Sequence, residues 1–394
     1  MKWVSTVVDH ARLEDAVPAA VEELRARLGK KRPDLLVVFA SPHHQGGFED
    51  LPDLLRKELD PRVLVGCSGG GVIGGGHEVE NRPGLSLTAA VLPGVSLVPF
   101  HLEVEDLPDV EASREEWERL VKTFDRQKPH FLLLPDPFTF DPDLFLRGLD
   151  RAFPESRKVG GLASGGGDGN PNSLFLNDEV HNAGLVGVGM FGNLQVDTLV
   201  AQGCRPVGEP IFVTKCRGNL LFEVDGRPVS DYLADLYGSL EGRDRELFQH
   251  SLFLGMVMKE FQPEYRHGDF LIRNLLGMDR KSGALAIGGG LRVNQVAQFH
   301  LRDARTSAED LDGLLSRYRT DSGEALPHGS LMFSCLGRGM HLYGRPDHDT
   351  DSFRRHLGEI PLGGFFCSGE IGPVQGKTFL HGYTSSFALF RNLT

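Results

Sequence analysis

The pattern of apolar and polar positions predicts a strand and then an amphipathic helix at the start of the chain. The strand runs from Lys2 to Val8, and Gly29 ends the helix, because a glycine just past the last turn is a common C-terminal signal. Between them, apolar residues recur at the three- and four-residue spacing of one helix face: Leu13, Ala16, Val17, Ala20, Val21, Leu24 and Leu28. The chain therefore opens with a β-α pair.

After this opening, one order of elements recurs three times. Each copy has an apolar strand, a short helix, a turn with Ser-Gly, and a closing apolar strand. The first strands are Leu35–Ala40, Phe131–Leu134 and Leu331–Cys335, the helices are Asp50–Leu59, Asp141–Phe153 and Thr350–Leu357, and the closing strands are Leu85–Leu92, Leu185–Phe191 and Ser385–Phe390. We interpret this order as three repeated β-α-β-β units. The alternative is coincidence among glycine-rich turns.

An insertion separates the second copy from the third, from about Gln202 to Pro327. It contains a hairpin signal at Asp225-Gly226, and Thr306 with Glu309 predicts a helix that starts with a capping box. A further helix is expected over Val229–Tyr237. The expected strands are Ile211–Lys215, Leu220–Val224, Phe270–Leu275, Ala284–Ile287 and Val296–Leu301.

The predicted fold class is α/β, with mixed β-sheets flanked by helices and two closely packed domains. A chain of 394 residues is too long for one ordinary hydrophobic core. A polar stretch with Gly and Pro at Gln202–Glu209 marks the expected boundary, which gives domains of residues 1–205 and 206–394.

Composition narrows the function classes. The net charge of −12 and the pI near 5.7 repel phosphate backbones and argue against a nucleic-acid partner. No stretch reaches the roughly 18 apolar residues of a membrane-spanning helix, and the N-terminus lacks a secretory pattern. The five cysteines are widely spaced without a Cys-x-x-Cys pair, which favours a reducing compartment and argues against a structural zinc site. We expect a cytoplasmic protein with no membrane partner and no metal.

Two segments in the last copy resemble the hallmark of the FIST C-terminal domain (F-box and intracellular signal transduction). Phe333–Gly339 reads FSCLGRG, and Gly364–Pro373 reads GFFCSGEIGP. Looser likenesses to this domain and to the FIST N-terminal domain extend over most of the chain, at Asp34–Ala40, Val65–Gly71, Leu85–Leu92, Val224–Pro228, Asp269–Leu276 and Phe299–Asp303.

The resemblance implies a stand-alone FIST protein that binds a small ligand in a sensory role. Amino acids are the ligands suggested for this family, and some members bind haem. No kinase, methyl-accepting or cyclase segment accompanies the FIST-like regions. We therefore expect signalling to pass through a separate partner protein.

Glu370 is the most informative candidate for ligand contact. The first two copies carry Gly70 and Gly166 after their Ser-Gly pair, whereas the third carries this glutamate. A carboxylate beside a glycine turn can accept a ligand ammonium group or act as a base. The alternative is a carboxylate satisfied by nearby backbone amides.

Three arginines are candidates for the carboxylate end of an amino-acid ligand. Arg338 lies between two glycines just past a predicted strand, which suits bidentate carboxylate recognition. Arg273 and Arg302 lie within or at the end of predicted strands, where an inward-facing guanidinium needs a partner. For each, a salt bridge within the protein is the alternative to ligand binding.

The turns supply the remaining candidates for ligand contact: Ser68, Ser164, Ser368, Gly369, Cys67 and Cys367. The serines lack the Gly-x-Ser-x-Gly frame of a nucleophile elbow. The two cysteines occupy equivalent positions in the first and third copies. Their ordinary role is that of small buried hydrophobic residues, and a reactive thiol would need a nearby cation or helix N-terminus.

Other functions stay open at this point. One is an enzyme that uses Glu370 with Cys367 or Arg338. Another is a haem-binding gas sensor, and a third is a protein-interaction scaffold. No cofactor is expected apart from haem, for which the candidate axial ligands are His101, His267, His300, His341 and His381. The glycine-rich turns match neither phosphate-binding motif, so nucleotide binding is disfavoured.

Overall fold

The computed structural model describes residues 1–167, 169–279, 281–323 and 325–393. Its strands are β1 (Lys2–Val8), β2 (Leu35–Ala40), β3 (Val63–Ser68), β4 (Gly71–Gly74), β5 (His77–Glu80), β6 (Leu85–Val91), β7 (Val95–Leu102), β8 (His130–Pro135), β9 (Lys158–Gly161), β10 (Leu174–Leu176), β11 (Glu179–His181), β12 (Leu185–Gly192), β13 (Gln195–Gln202), β14 (Cys204–Arg217), β15 (Leu220–Val224), β16 (Arg227–Pro228), β17 (Leu252–Val257), β18 (Phe270–Met278), β19 (Leu285–Ile287), β20 (Val296–Arg302), β21 (Gly329–Cys335), β22 (Leu362–Cys367), β23 (Glu370–Val374), β24 (Lys377–His381) and β25 (Thr384–Arg391).

The α-helices are α1 (Leu13–Leu28), α2 (Leu51–Leu59), α3 (Arg114–Leu120), α4 (Pro142–Ala152), α5 (Val229–Ser239), α6 (Gly242–His250), α7 (Ala304–Ser322), α8 (Gly339–Tyr343) and α9 (His348–Leu357). Across the described residues, no helix has the length and apolar character needed to cross a membrane.

The chain forms two compact units. The first contains residues 1–200, 312–380 and the segment from 384 onward, and the second contains residues 201–311 and 381–383. The second unit lies almost wholly within the segment that the sequence suggests is inserted. The domain boundary between residues 205 and 206 stays a prediction.

Three six-stranded sheets of the first unit have strands in matching order. The first sheet is β1-β6-β2-β3-β10-β11, the second is β7-β12-β8-β9-β23-β24, and the third is β13-β25-β21-β22-β4-β5. In each sheet the third and fourth strands are parallel, and the second strand is antiparallel to the third. The predicted class, α/β with mixed sheets flanked by helices, is confirmed.

Each sheet is completed by a hairpin from a different copy of the predicted unit. The hairpin β10–β11 lies within the second copy, before its closing strand, but pairs with β3 of the first sheet. The hairpin β23–β24 pairs with β9 of the second sheet, and β4–β5 pairs with β22 of the third. The three sheets therefore exchange hairpins in a closed cycle, which local hydrophobic patterns did not predict.

The apolar faces of the three sheets share one core in the first unit. Phe39 of the first sheet stacks on Phe365 of the third at a centroid distance of 4.5 Å, and Leu132 of the second sheet lies in the same cluster. Helices α1 and α2 cover the outer face of the first sheet, where Leu24 and Leu55 are buried. Burying a side chain of this size contributes about 1.5–3 kcal/mol.

Glycine is required at one position of β9 and one of β22, where each strand pairs with its parallel neighbour. Gly160 has φ 152°, and a Cβ atom there would lie 1.8 Å from the carbonyl oxygen of Leu133. Gly364 has φ 154°, and its Cβ atom would lie 1.9 Å from the oxygen of Met332. A larger residue would displace a neighbouring strand just before the chain reaches the Ser-Gly turns.

The second unit is built on a sheet that closes on itself. Its order is β14-β20-β17-β18-β19-β15-β16, and β14 also pairs with β15. Val213, Leu254 and Phe299 are buried in its core, and Tyr232 of α5 stacks on Phe299. The hairpin predicted at Asp225-Gly226 is present, with both residues at positive φ.

Two helix starts show how well capping could be predicted. The predicted cap of α4 is confirmed, because the Asp141 carboxylate accepts the Leu144 amide at 2.9 Å. The capping box of Thr306 and Glu309 is wrong. Helix α7 begins at Ala304, and the Asp303 carboxylate accepts the Thr306 amide at 2.9 Å, so an aspartate three residues earlier competes successfully for the cap.

Candidate functional site

Three chain corners carry the predicted Ser-Gly turns from one sheet of the first unit to another. Ser68-Gly69-Gly70 leads from β3 of the first sheet to β4 of the third. Ser164-Gly165 starts the link from β9 of the second sheet to β10 of the first, and Ser368-Gly369 links β22 of the third to β23 of the second. We call these three segments the corner cluster.

The corners hold one another through hydrogen bonds. The Ser164 amide donates to the Ser68 carbonyl at 3.1 Å, and the Gly70 amide donates to the Ser164 hydroxyl oxygen at 2.9 Å. The Ser164 hydroxyl in turn donates to the Phe366 carbonyl, just before the third corner. The Ser368 amide donates to the Leu162 carbonyl at 3.1 Å. The three Ser-Gly turns thus lie together in the first unit.

Part of the corner cluster reaches solvent. Ser68 and Ser164 are buried, whereas Gly165 and Ser368 are exposed. Leu336 lies beside Gly70, since a Cβ atom on that glycine would be 2.5 Å from Leu336 Cδ2, and Leu336 is 43% exposed. A small molecule can therefore approach the cluster at these exposed residues, Gly165, Leu336 and Ser368.

Glu370 directly follows the third corner, and its carboxyl is completely buried, with 0% exposure. Its Oε2 accepts hydrogen bonds from the Thr384 amide at 3.0 Å and hydroxyl at 2.8 Å. The Cys367 thiol donates to Oε1 at 3.6 Å. Burial raises the pKa of Glu370 to about 7, although the Thr384 and Cys367 hydrogen bonds and the Arg338 charge oppose this rise. The carboxyl is thus poised to gain or lose a proton near neutral pH.

The two predicted cysteines are buried thiols. Burial raises the pKa of Cys67 well above its ordinary value. Burial, reinforced by the nearby Glu370 charge, does the same to the pKa of Cys367. Their thiols stay protonated at neutral pH, which does not suit a nucleophile.

Arg338 is engaged within the protein. Its guanidinium is fully buried and binds Asp349 through two contacts, Nε to Oδ2 at 2.7 Å and Nη2 to Oδ1 at 3.1 Å. Nη2 also donates to the Tyr343 hydroxyl at 2.6 Å. Burial alone would raise the pKa of Asp349, but the charge of Arg338 holds it well below its ordinary value. Among the described residues Arg338 Nη1 has no hydrogen-bond partner, so a ligand carboxylate would have to reach this buried nitrogen or replace Asp349.

The other two predicted arginines belong to the second unit, whereas the corner cluster and Glu370 belong to the first. Arg273 Nη1 donates to the carbonyl of Ile272 at 3.2 Å. The Arg302 guanidinium stacks over the Tyr383 ring at 4.8 Å. The structure does not bring these arginines into the unit that carries Glu370.

A chain of polar side chains that the sequence did not single out supports the first corner. Buried Asp136 follows β8 and accepts the Asn172 side-chain amide at 2.8 Å. Asn172 Oδ1 accepts the Gly166 amide at 2.7 Å and the Ser68 hydroxyl at 3.4 Å. The sequence feature that could have indicated Asp136 is its position directly after an apolar strand, at the sheet edge where the Ser-Gly turns also lie.

The histidines suggested as haem ligands have the following surroundings. His101 Nε2 contacts the Ala183 carbonyl at 3.0 Å and its ring stacks on His181. His267 pairs with Asp310 at 3.1 Å, and buried His300 contacts the Gln298 carbonyl at 2.9 Å. His341 is exposed, and His381 has a partner of its own. In the described ranges, no group of three or more His, Cys, Asp or Glu residues could hold a metal ion.

Comparison with known proteins gives two kinds of match. The family model described as FIST N domain matches residues 34–227, and the FIST C domain model matches residues 230–373. An uncharacterized protein of Mycobacterium tuberculosis is 37% identical over 390 residues, which cover 98% of each chain. An uncharacterized protein of Mycobacterium bovis is 36% identical over 383 residues, 95% of this chain and 96% of the relative.

Two further matches are partial or distant. Human F-box only protein 22 is 34% identical over 74 residues, 15% of this chain and 18% of that protein. A cyanuric acid hydrolase from A. caulinodans aligns over 100% of both chains at 10% identity, but its TM-score of 0.36 gives no basis for a functional argument. The two family models together span most of the sequence. The chain therefore belongs to the FIST family, whose domains are small-ligand-binding modules of sensory and signal-transduction proteins.

Proposed function

We propose that this chain binds an amino acid on the exposed side of the corner cluster and works as a sensory module. Gly165 and Ser368 offer exposed backbone on that side, where glycine lets a ligand approach closely. Buried Ser68 and Ser164 hold the surrounding backbone in place through the hydrogen bonds described above. We assign the ligand carboxylate to this backbone, because Arg338 is already paired with Asp349.

The burial of the Glu370 carboxyl among uncharged partners is the observation that carries the proposal. This buried carboxyl lies next to the third corner, its direct partners Thr384 and Cys367 are uncharged, and burial raises its pKa to about 7. A cationic group placed near a buried carboxylate stabilises the ionised form strongly, because the surroundings screen the attraction weakly. The ammonium group of an amino acid supplies such a cation.

This arrangement fixes the direction of the pH dependence. A ligand ammonium prefers the ionised carboxylate, which becomes the major form as the pH rises through about 7. Affinity should therefore increase with pH across that range, and binding below it should release a proton from Glu370. The high pKa of the Cys367 thiol favours reversible binding over a covalent intermediate.

The test is isothermal titration calorimetry of the full chain with each standard amino acid. Measurements are made about one pH unit below and above the Glu370 pKa, because that interval spans its titration. Binding that tightens at the higher pH supports the proposal. Glu370→Gln should flatten this pH dependence, and the matched control Glu22→Gln, at an exposed position of α1, should keep it.

Two results would count against parts of the proposal. If no amino acid gives heat of binding, the ligand class is wrong. If an amino acid binds but Glu370→Gln has the same pH dependence as the wild type, the ligand class stands and the role of Glu370 is wrong.

We further propose that the three units are an internal repeat and that a separate protein carries the signal. The matching order of the three sheets supports the repeat. The five free cysteines support a cytoplasmic location. Limited proteolysis that releases a fragment beginning near residue 206 would support the expected domain boundary.

A further inference from the structure

A second polar cleft lies in the first unit, apart from the corner cluster in its lining residues. Its volume is about 360 Å³, which is within the usual range for small-molecule sites. The residues that line it all have polar side chains: Arg157, Asp197, Thr198, Tyr318, Asp321, Ser322 and Arg391. We call it the Arg157–Arg391 cleft.

The Asp197 charge is compensated inside the cleft. Its Oδ2 accepts from Arg391 Nε at 2.8 Å and from the Tyr318 hydroxyl at 3.0 Å. Its Oδ1 accepts from the Gln195 side-chain amide at 3.1 Å. Burial, together with the Asp197 charge, raises the pKa of Tyr318 to about 12, so this phenol stays a neutral donor. Asp197 therefore orients Arg391. Because its negative charge is already paired, it repels an anionic ligand only weakly.

Arg157 supplies the second guanidinium of the cleft. Its backbone is fixed at the start of β9, since its carbonyl accepts the Phe131 amide at 2.8 Å and its amide donates to His130 Nδ1 at 3.1 Å. Its exposed guanidinium makes no ion pair within the described ranges. Burial and the neighbouring cations Arg157 and Lys158 lower the pKa of His130 to about 4, so this imidazole adds no charge.

We propose that the Arg157–Arg391 cleft binds a small carboxylate that carries a hydroxyl group next to it. Arg157 and Arg391 both line the cleft, and a guanidinium binds a carboxylate through charge-assisted hydrogen bonds. Thr198 and Ser322 add hydroxyl groups to the same lining.

Asp321 sets the selectivity of this cleft. Its exposed carboxylate lines the cleft and has no ion-pair partner in the part of the chain that the structure describes. It can accept a hydrogen bond from a ligand hydroxyl, and it repels an anion of higher charge. A hydroxy acid with one negative charge therefore fits better than inorganic phosphate, whose larger negative charge at neutral pH Asp321 repels more strongly.

The experiment compares glycolate, acetate and inorganic phosphate as probes by titration calorimetry of the full chain. We expect glycolate to bind more tightly than acetate and phosphate. Arg157→Ala should weaken glycolate binding by about tenfold or more, the usual effect of losing a charge-assisted hydrogen bond. Asp321→Asn should reduce the preference for glycolate over acetate and should raise phosphate affinity.

The matched control is Arg147→Ala, at an exposed arginine of α4 whose Nε contacts the carbonyl of Asp143. It should leave glycolate affinity unchanged. Absence of glycolate binding to the wild type, or equal affinity in the wild type and Arg157→Ala, would overturn the proposal. Phosphate binding that exceeds glycolate binding in the wild type would overturn the assigned ligand class. These outcomes do not depend on amino-acid binding at the corner cluster.

Discussion

Replacing Glu370 by glutamine should change how stability depends on pH. In the wild type, burial raises the pKa of this carboxyl from an ordinary 4.5 to about 7. Because the folded pKa is the higher one, the stabilisation is fully present below pH 4.5 and is lost as the pH rises through about 7. A difference of this size corresponds to about 3 kcal/mol. Glutamine does not titrate, so Glu370→Gln should lack this loss.

The assay is urea unfolding of both proteins at a series of pH values between the two pKa limits. Trp3 and Trp117 are the two tryptophans of the chain and both lie in the first unit, so their fluorescence reports on the unit that holds Glu370. The wild type should lose about 3 kcal/mol relative to the variant across the range.

Glu78 also titrates in this unit, since burial and the nearby Asp349 charge raise its pKa to about 8. That carboxyl is present in both proteins, so its contribution cancels in the difference. If the stability difference between wild type and Glu370→Gln is the same at both ends of the pH range, the reasoning about Glu370 is refuted.

Three further substitutions test other parts of the first unit. Thr384→Val removes a hydroxyl donor to the Glu370 carboxylate and should raise the Glu370 pKa. The curve of stability against pH for this variant should then lie at higher pH than the wild-type curve. Arg338→Met should lower the free energy of unfolding by about 3–5 kcal/mol, because it removes the guanidinium that pairs with buried Asp349 and leaves this carboxylate with the His348 ring at 3.0 Å; urea unfolding measures it. Gly364→Ala should destabilise by more than about 2 kcal/mol, since the added methyl group meets a strand carbonyl, and thermal unfolding measures it.

Each of these has a comparison that isolates its cause. Thr384→Ser keeps the hydroxyl and should leave the pH-stability curve in place. Removing both charges with Arg338→Met and Asp349→Leu should recover much of the lost stability, and a double variant as unstable as the single one would contradict the ion-pair explanation. Gly167→Ala has open space around it and should change the melting temperature little.

The elements that local patterns specify could be predicted from the sequence. The Asp225-Gly226 hairpin and the Asp141 cap depend on residues a few positions apart, and both are present. The exchange of hairpins between sheets could not be predicted, because it depends on pairings such as Gly364 with Ile73, far apart in the chain. A two-residue alternation does not say which sheet a strand joins.

The candidate site shows the same division. The sequence singled out Glu370 because this glutamate breaks the pattern of glycines in the other copies. It did not indicate that the carboxyl is buried, and burial raises its pKa to about 7. Arg338 was placed on a glycine-flanked loop without its partner Asp349, which lies on a different element. Asp136 was missed because its partner Asn172 is 36 positions away in sequence and reaches it through folding.

The exchange of hairpins has a consequence for synthesis on the ribosome. The first sheet needs strands β10 and β11, and the second and third need strands from the last part of the chain. A nascent chain released up to β12 therefore holds β4 and β5 with no partner strand from β22, and β9 without β23. Such unpaired strand edges invite aggregation, so this architecture demands protection by chaperones until translation ends.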